Sequence, residues 1–158
     1  MSALAGLFDH TVDGKNRIRI PAKLKADLLG VPVEADDKEQ SKFTVVFHLG
    51  TGGCIEVYTE EDYEAIYQKF ANIKKSEEEK YKAASKYLST FEKVESDPQG
   101  RLVIPPLCRS YGKIEKEIKI CGRGNHIQIW SPTRYYEYYG TEELDVADIA
   151  NLEKILDI

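Results

Sequence analysis

An aspartate and an arginine four residues apart occur twice in this chain, each time on a turn that leads into a short alternating strand. Residues 13–21 read DGKNRIRIP and residues 97–105 read DPQGRLVIP. An arginine guanidinium is a planar fork. It can take O6 and N7 of one guanine together, or grip a phosphate. The carboxylate of Asp13 or Asp97 cannot itself favour DNA, so its task is to fix the turn or orient the arginine. Lys15, Arg17, Arg19, Lys23 and Lys25 stand against Asp13 alone, which makes residues 13–25 locally +4. Arg101 and Arg109 against Asp97 make residues 97–109 only +1. The competing reading is a solvated turn with an internal Asp–Arg pair, which is worth little when exposed.

Other chemistry finds less support. Cys54, Cys108 and Cys121 are odd in number and no pair has C-x-x-C spacing, so reduced thiols are expected rather than disulfides or zinc. His10, His48 and His126 are scattered outside any H-E-x-x-H frame. There is no nucleophile elbow, no Walker loop and no Gly-x-Gly-x-x-Gly after a strand, so no enzyme, cofactor or small-molecule substrate is expected. The glycine-rich GTGG (50–53) and GRGN (122–125) precede no helix and read as hairpin turns, not phosphate cradles.

The elements that must position the two arginines come from an internal repeat. At an offset of 84, Asp13, Arg17, Ile18, Ile20 and Pro21 match Asp97, Arg101, Leu102, Ile104 and Pro105. At an offset of 72, IEVY (55–58) matches IQIW (127–130), Thr59 matches Ser131 and Tyr63 matches Tyr135. The first copy therefore carries 12 extra residues, placed in the loop VPVEADDKEQSK (31–42). Within each copy a strand leads to the Asp–Arg turn, where Gly14, Asn16, Pro98 and Gly100 supply turn chemistry. A strand RIRIP or RLVIP follows, with Ile18 and Ile20 on one face and Arg17 and Arg19 on the other. Pro21 and Pro105 end it and suit the start of a short helix, AKLKADLL or PLCRSYG. A hairpin comes next, FTVVFHL with CIEVY or EIKICG with HIQIW. It runs into a helix capped by Thr59 or Ser131. Helices are expected over 60–70 and 73–90, with Tyr63, Ile66, Tyr67 and Phe70 at helical spacing, and Tyr135, Tyr138 and Tyr139 form a similar stripe. The spacing divides the chain into a first unit (7–59), connecting helices (60–90), a second unit (91–134) and a C-terminal helix with an acidic tail (135–158).

The whole chain has 158 residues, a net charge of −5 and 42% hydrophobic residues. That suits a folded protein, and no apolar run in the sequence approaches the ~18–20 residues needed to cross a bilayer. MSALAGLFDH has no basic n-region and no useful h-region, so no secretory signal is expected. A sequence-blind DNA binder needs a basic surface. Here the acidity is local. Residues 141–158 hold six acids against Lys154, and the rest of the chain balances at 21 basic and 21 acidic residues. The tail also carries Leu144, Val146, Ile149, Leu152, Ile155 and Leu156, the pattern of a helix that docks on a neighbour.

With these residues in hand the chain resembles the MraZ family of bacterial transcriptional regulators. The resemblance runs through DHTVDGKNRIRIPAKL, CIEVYTEEDYEAIYQKF and SDPQGRLVIPPLCRSYGKIEKEIKICGRGNHIQIWS, and so covers nearly all of it. It implies an α+β fold of two pseudo-repeated SpoVT/AbrB-type swapped-hairpin units with flanking helices, assembling into a closed ring. It implies a homo-oligomeric, sequence-specific regulator of a cell-division and cell-wall gene cluster, acting as a repressor. The implied partner is double-stranded DNA at repeated promoter sites, in the cytoplasm and on the nucleoid, with no membrane involved. The family's DNA-contacting motif carries over to Asp13 with Arg17 and Asp97 with Arg101, and Lys15 falls on its usual lysine. Asn16 stands where the family commonly has glycine, and Arg19 where a small or polar residue is more usual. On this reading Arg17 reads base edges, Lys15, Arg19 and Lys23 contact phosphate or steer approach, and Arg101 serves a second surface or holds its own turn. The rival is an AbrB-type antitoxin or a protein-interaction scaffold whose acidic tail docks a protein partner.

Overall fold

The computed structural model describes residues 2–31, 42–141 and 143–158. The expected insertion loop, all but Val31 and Lys42, lies outside the described residues. The elements run β1 (Leu7–Thr11), β2 (Arg17–Arg19), α1 (Ala22–Leu29), β3 (Thr44–Leu49), β4 (Ile55–Thr59), α2 (Glu60–Gln68), α3 (Glu78–Leu88), β5 (Phe91–Glu95), β6 (Arg101–Val103), α4 (Pro106–Gly112), β7 (Glu117–Gly122), β8 (Ile127–Trp130), α5 (Pro132–Tyr139) and α6 (Val146–Leu156). The class is α+β, and the order β–β–α–β–β–α occurs twice.

Strand pairing crosses between the two copies. One antiparallel sheet has the order β1-β7-β8-β4-β3-β5, and β2 pairs with β6 in a separate two-stranded ribbon. The leading strand of each copy thus lies beside the hairpin of the other. The register makes the exchange symmetric. Glu56 faces Gln128 and Ile18 faces Leu102, each residue opposite its own equivalent in the repeat. A pseudo-twofold axis therefore passes through both the sheet and the ribbon.

The strand period of two sorts the sheet into faces. Val45, Phe47, Ile55, Val57, Ile118, Ile120, Ile127 and Ile129 point to one side and are all buried. There they meet Ile18, Ile20, Leu102 and Ile104 from beneath the ribbon, with Leu24 and Leu28 of α1 and Cys108 of α4. The ribbon is therefore bolted to the sheet by its apolar face and shows its other face outward. Pro21 and Pro105 hold extended backbone at the starts of α1 and α4, and the helices begin one residue later, as the sequence suggests. Thr59 and Ser131 cap α2 and α5, accepting from the N–H groups of Asp62 and Arg134 at 3.1 and 3.2 Å.

The second connecting helix starts later than its pattern suggests, at Glu78 rather than near residue 73. A helix begun at 73 would put Lys74 and Lys75 in its first turn, against the dipole. Starting at Glu78 puts Glu78 and Glu79 there instead. Residues 69–77 turn by i to i+3 bonds, such as Ile73 N–H to Phe70 O at 3.2 Å.

Candidate nucleic-acid interface

Each Asp–Arg turn is built by its own carboxylate. Asp13 Oδ1 accepts from the backbone N–H of Lys15 and of Arg17, both at 2.9 Å, and Oδ2 accepts from Arg17 Nε–H at 2.7 Å. Asp97 repeats this with Gln99 N–H at 3.0 Å, Arg101 N–H at 2.9 Å and Arg101 Nε–H at 2.6 Å. One oxygen shapes the loop and the other takes the inner edge of the guanidinium. Spacing of four is what lets one short side chain do both. The turn also needs a left-handed residue just before the arginine, and Asn16 (φ 61°) and Gly100 (φ 79°) supply it.

The hydrogen bond from the Arg17 backbone holds the Asp13 carboxyl below its usual range, with Lys15 N–H and the Arg17 guanidinium adding to it. Partial burial works to raise Asp97, but the bonds from Arg101 outweigh it and its carboxyl is also lowered. Both acids stay charged at neutral pH and both are tied up internally.

The ribbon brings the two turns together. Arg17 Nη1 lies 4.0 Å from Asp97 Oδ2, and Arg19 faces Arg101 across the β2–β6 register. Asp13, Lys15, Arg17, Arg19, Asp97 and Arg101 thus share one surface. Lys23 is exposed on α1, one element further on. Lys25, counted in the basic stretch, is buried with its ammonium 4.9 Å from the Phe43 ring centre, so the surface carries less charge than the sequence total. Arg109 turns inward and donates from Nε to the Ile104 carbonyl at 3.3 Å.

The two halves of this surface are not equivalent. Gln99 occupies the place of Lys15, and its Oε1 accepts from Arg101 Nη2 at 2.6 Å. Val103, 51% exposed, occupies the place of Arg19. Among the described residues the Arg17 Nη groups have no hydrogen bond of that kind. Arg17 Nη1 instead lies in ion-pair range of Asp97, at 4.0 Å, so Arg17 keeps a more loosely held outer edge on the more basic half, while Arg101 is hydrogen-bonded on both edges. Gln99 carries no charge to single it out in the sequence, although its place equivalent to Lys15 in the repeat is a visible signal.

Two histidines that look scattered in sequence converge on Glu56. His48 Nδ1 and the Tyr58 hydroxyl lie 3.0 and 2.9 Å from Glu56 Oε1, and His126 Nε2 lies 3.7 Å from Oε2. Burial works to raise Glu56, but these partners pull its carboxyl below the usual range. Among the described residues no group of three or more His, Cys, Asp or Glu is arranged to hold a metal. Cys54 and Cys108 are free, and burial pushes both thiols up to about 12, so neither is a nucleophile at neutral pH.

Residues 3–84 and 88–153 match the family model described as "MraZ protein, putative antitoxin-like". The chain belongs to the MraZ family. Similar proteins of that family include the "Transcriptional regulator MraZ" of Cytophaga hutchinsonii, 29% identical over 150 residues, which are 95% of this chain and 93% of the relative. Those of Thermoanaerobacter sp. and Caldanaerobacter subterraneus are each 29% identical over 147 residues, 93% of this chain and 94% of the relative. These MraZ relatives bear a regulator's name and not an enzyme's, in keeping with a sequence that lacks a catalytic constellation.

Proposed function

We propose that this chain is a sequence-specific, DNA-binding transcriptional regulator whose reading surface is the β2–β6 ribbon. The observation that carries the proposal is the joining of two Asp–Arg turns, 84 residues apart in sequence, on the outer face of one ribbon. A two-stranded ribbon is narrow enough for the major groove of B-DNA. Asp13 fixes the Nε edge of Arg17 and Asp97 stands 4.0 Å from Nη1, so the guanidinium is preorganised with its Nη end toward a base edge. Lys15 and Arg19 flank it as phosphate contacts and Lys23 steers approach. Arg101, held by Asp97 and Gln99, contacts the neighbouring backbone. Because the halves differ, one ribbon reads its site with a fixed polarity.

The crossed strand pairing supports a SpoVT/AbrB-type swapped-hairpin unit. One ribbon offers few base contacts, so the proposal includes an oligomer, a closed ring, that engages repeated promoter sites at high effective concentration. The regulated sites would be those of its own cell-division and cell-wall cluster, with repression the outcome, in the cytoplasm at the nucleoid. No helix among the described residues is long and apolar enough to cross a membrane.

The test is a mobility-shift titration with promoter DNA selected by the protein from a random pool. Arg17→Ala that keeps its fold and its assembled mass loses operator binding. Undiminished binding by that variant rejects the ribbon as the reader. Should the wild-type protein select no sequence, the antitoxin or scaffold reading gains.

A further inference from the structure

α6 is a well-formed helix with no strong packing partner among the described elements. Asp145 and Asp148 cap it reciprocally, the Asp148 N–H to Asp145 Oδ1 at 2.8 Å and the Asp145 N–H to Asp148 Oδ2 at 3.0 Å. None of its residues is buried. Ile149, Leu152 and Leu156 recur at helical spacing and make one apolar stripe, flanked by Val146 and Ile155. An isolated helix of 11 residues is marginal in water, so a stripe of this kind asks for a cover. Ile149, Leu152 and Leu156 are all exposed, so the described residues do not bury the stripe.

The same chain carries a cleft of matching character. Between the end of α2 and α3 opens a groove of about 580 Å³, floored by Phe70, Ile73, Ala83, Ala84 and Tyr87. Tyr87 stands edge-on to Phe70 at 5.8 Å, and the two small alanines line the groove beside them. Lys69 and Lys80 line it together with one acid, Glu77. The charges are complementary. Residues 69–86 hold six lysines against three glutamates, whereas residues 141–158 hold six acids against Lys154.

We infer that the α6 stripe of one copy docks in the α2–α3 groove of a second copy, with its acids facing the groove's lysines. Apolar burial supplies the contact, and the opposed charges set its orientation. Each chain then offers one stripe and one groove on separate surfaces. The contact is head-to-tail, and a head-to-tail contact either closes into a ring or continues as a filament. The inference deepens the assembly part of the proposed function by naming its joint. It requires nothing of the DNA-reading ribbon.

The experiment measures mass by light scattering, without DNA, for the wild type, Ile149→Asp/Leu152→Asp and Ala84→Arg. Fluorescence of the buried Trp130 monitors the fold. The wild type is multimeric, and both variants fall to monomer while folded. A monomeric wild type, or a folded variant of unchanged mass, overturns the inference. Ala84→Arg decides if the tail variant misfolds. A second arm mixes Ala84→Cys chains with differently tagged Leu152→Cys chains under mild oxidation. A disulfide-linked heterodimer is expected, and its absence overturns the joint even where the masses fall. Arg17→Ala leaves all these readings unchanged, so failure here and failure of DNA reading are separable.

Discussion

Ile18→Ala tests whether the ribbon and the sheet form one cooperative body. Ile18 is 2% exposed and faces Leu102 across the ribbon, above the apolar face of the sheet. Truncating a fully buried isoleucine removes its transfer energy and leaves a cavity, together about 3 kcal/mol within a usual range of about 2–5. In a chain of this size each kcal/mol moves the melting temperature by roughly 2–4 °C, so a fall of roughly 6–12 °C is expected. The probe is the only tryptophan, Trp130, which is fully buried on β8 of the other copy. Trp130 fluorescence and far-UV circular dichroism are followed at one protein concentration, because assembly shifts apparent stability. Crossed pairing predicts that both signals fall together by that amount. If Trp130 melts within about 2 °C of the wild type while the ribbon has lost DNA binding, the ribbon is a separate unit and not part of one cooperative body with the sheet.

Gly100→Ala forces a side chain into left-handed backbone at φ 79°, with the new Cβ 3.3 Å from Lys25 Nζ. It should destabilise by roughly 1–2 kcal/mol in urea titration, whereas Asn16→Gly at the equivalent turn should stay within ~0.5 kcal/mol. Stability should also fall on mild acidification. Burial holds the His126 imidazole below the usual histidine value, against the pull of Glu56. Below about pH 6.5 the unfolded chain therefore binds more protons than the native one, and stability drops from there downward. The lowered Glu56 carboxyl adds its own loss only as pH falls past the ordinary glutamate range. Melting curves of wild type and His126→Asn across this range should diverge, the variant losing less on the way down to about pH 5. Parallel curves would contradict that cause.

Much of the local structure is legible in the residues. The prolines at 21 and 105, the caps at Thr59 and Ser131 and the period-two burial of Ile18 and Ile20 each follow from short-range chemistry. The Asp–Arg turns are legible too, because a single carboxylate must meet nearby N–H groups and one guanidinium. Strand partners are not legible in that way. Periodicity says that Leu7–Thr11 is a strand, but nothing local says that it pairs with Glu117–Gly122. The resemblance to a swapped-hairpin family supplies that expectation. The same limit hides the gathering of His48 and His126 on Glu56, which needs three strands brought side by side. Lys25 misleads in the opposite direction. Its charge looks solvent-facing in sequence, yet its stem is buried and its ammonium lies near Phe43.

In the proposed function Arg17 reads DNA as a fork and not merely as a charge. The most direct measurement compares operator and scrambled DNA binding of wild type and Arg17→Lys at fixed salt. Lysine keeps the positive charge but loses the bidentate geometry. Binding to scrambled DNA should stay nearly unchanged while the operator preference collapses, by about 1–3 kcal/mol for each bidentate arginine–guanine pair removed. An operator preference that survives Arg17→Lys intact would contradict that role.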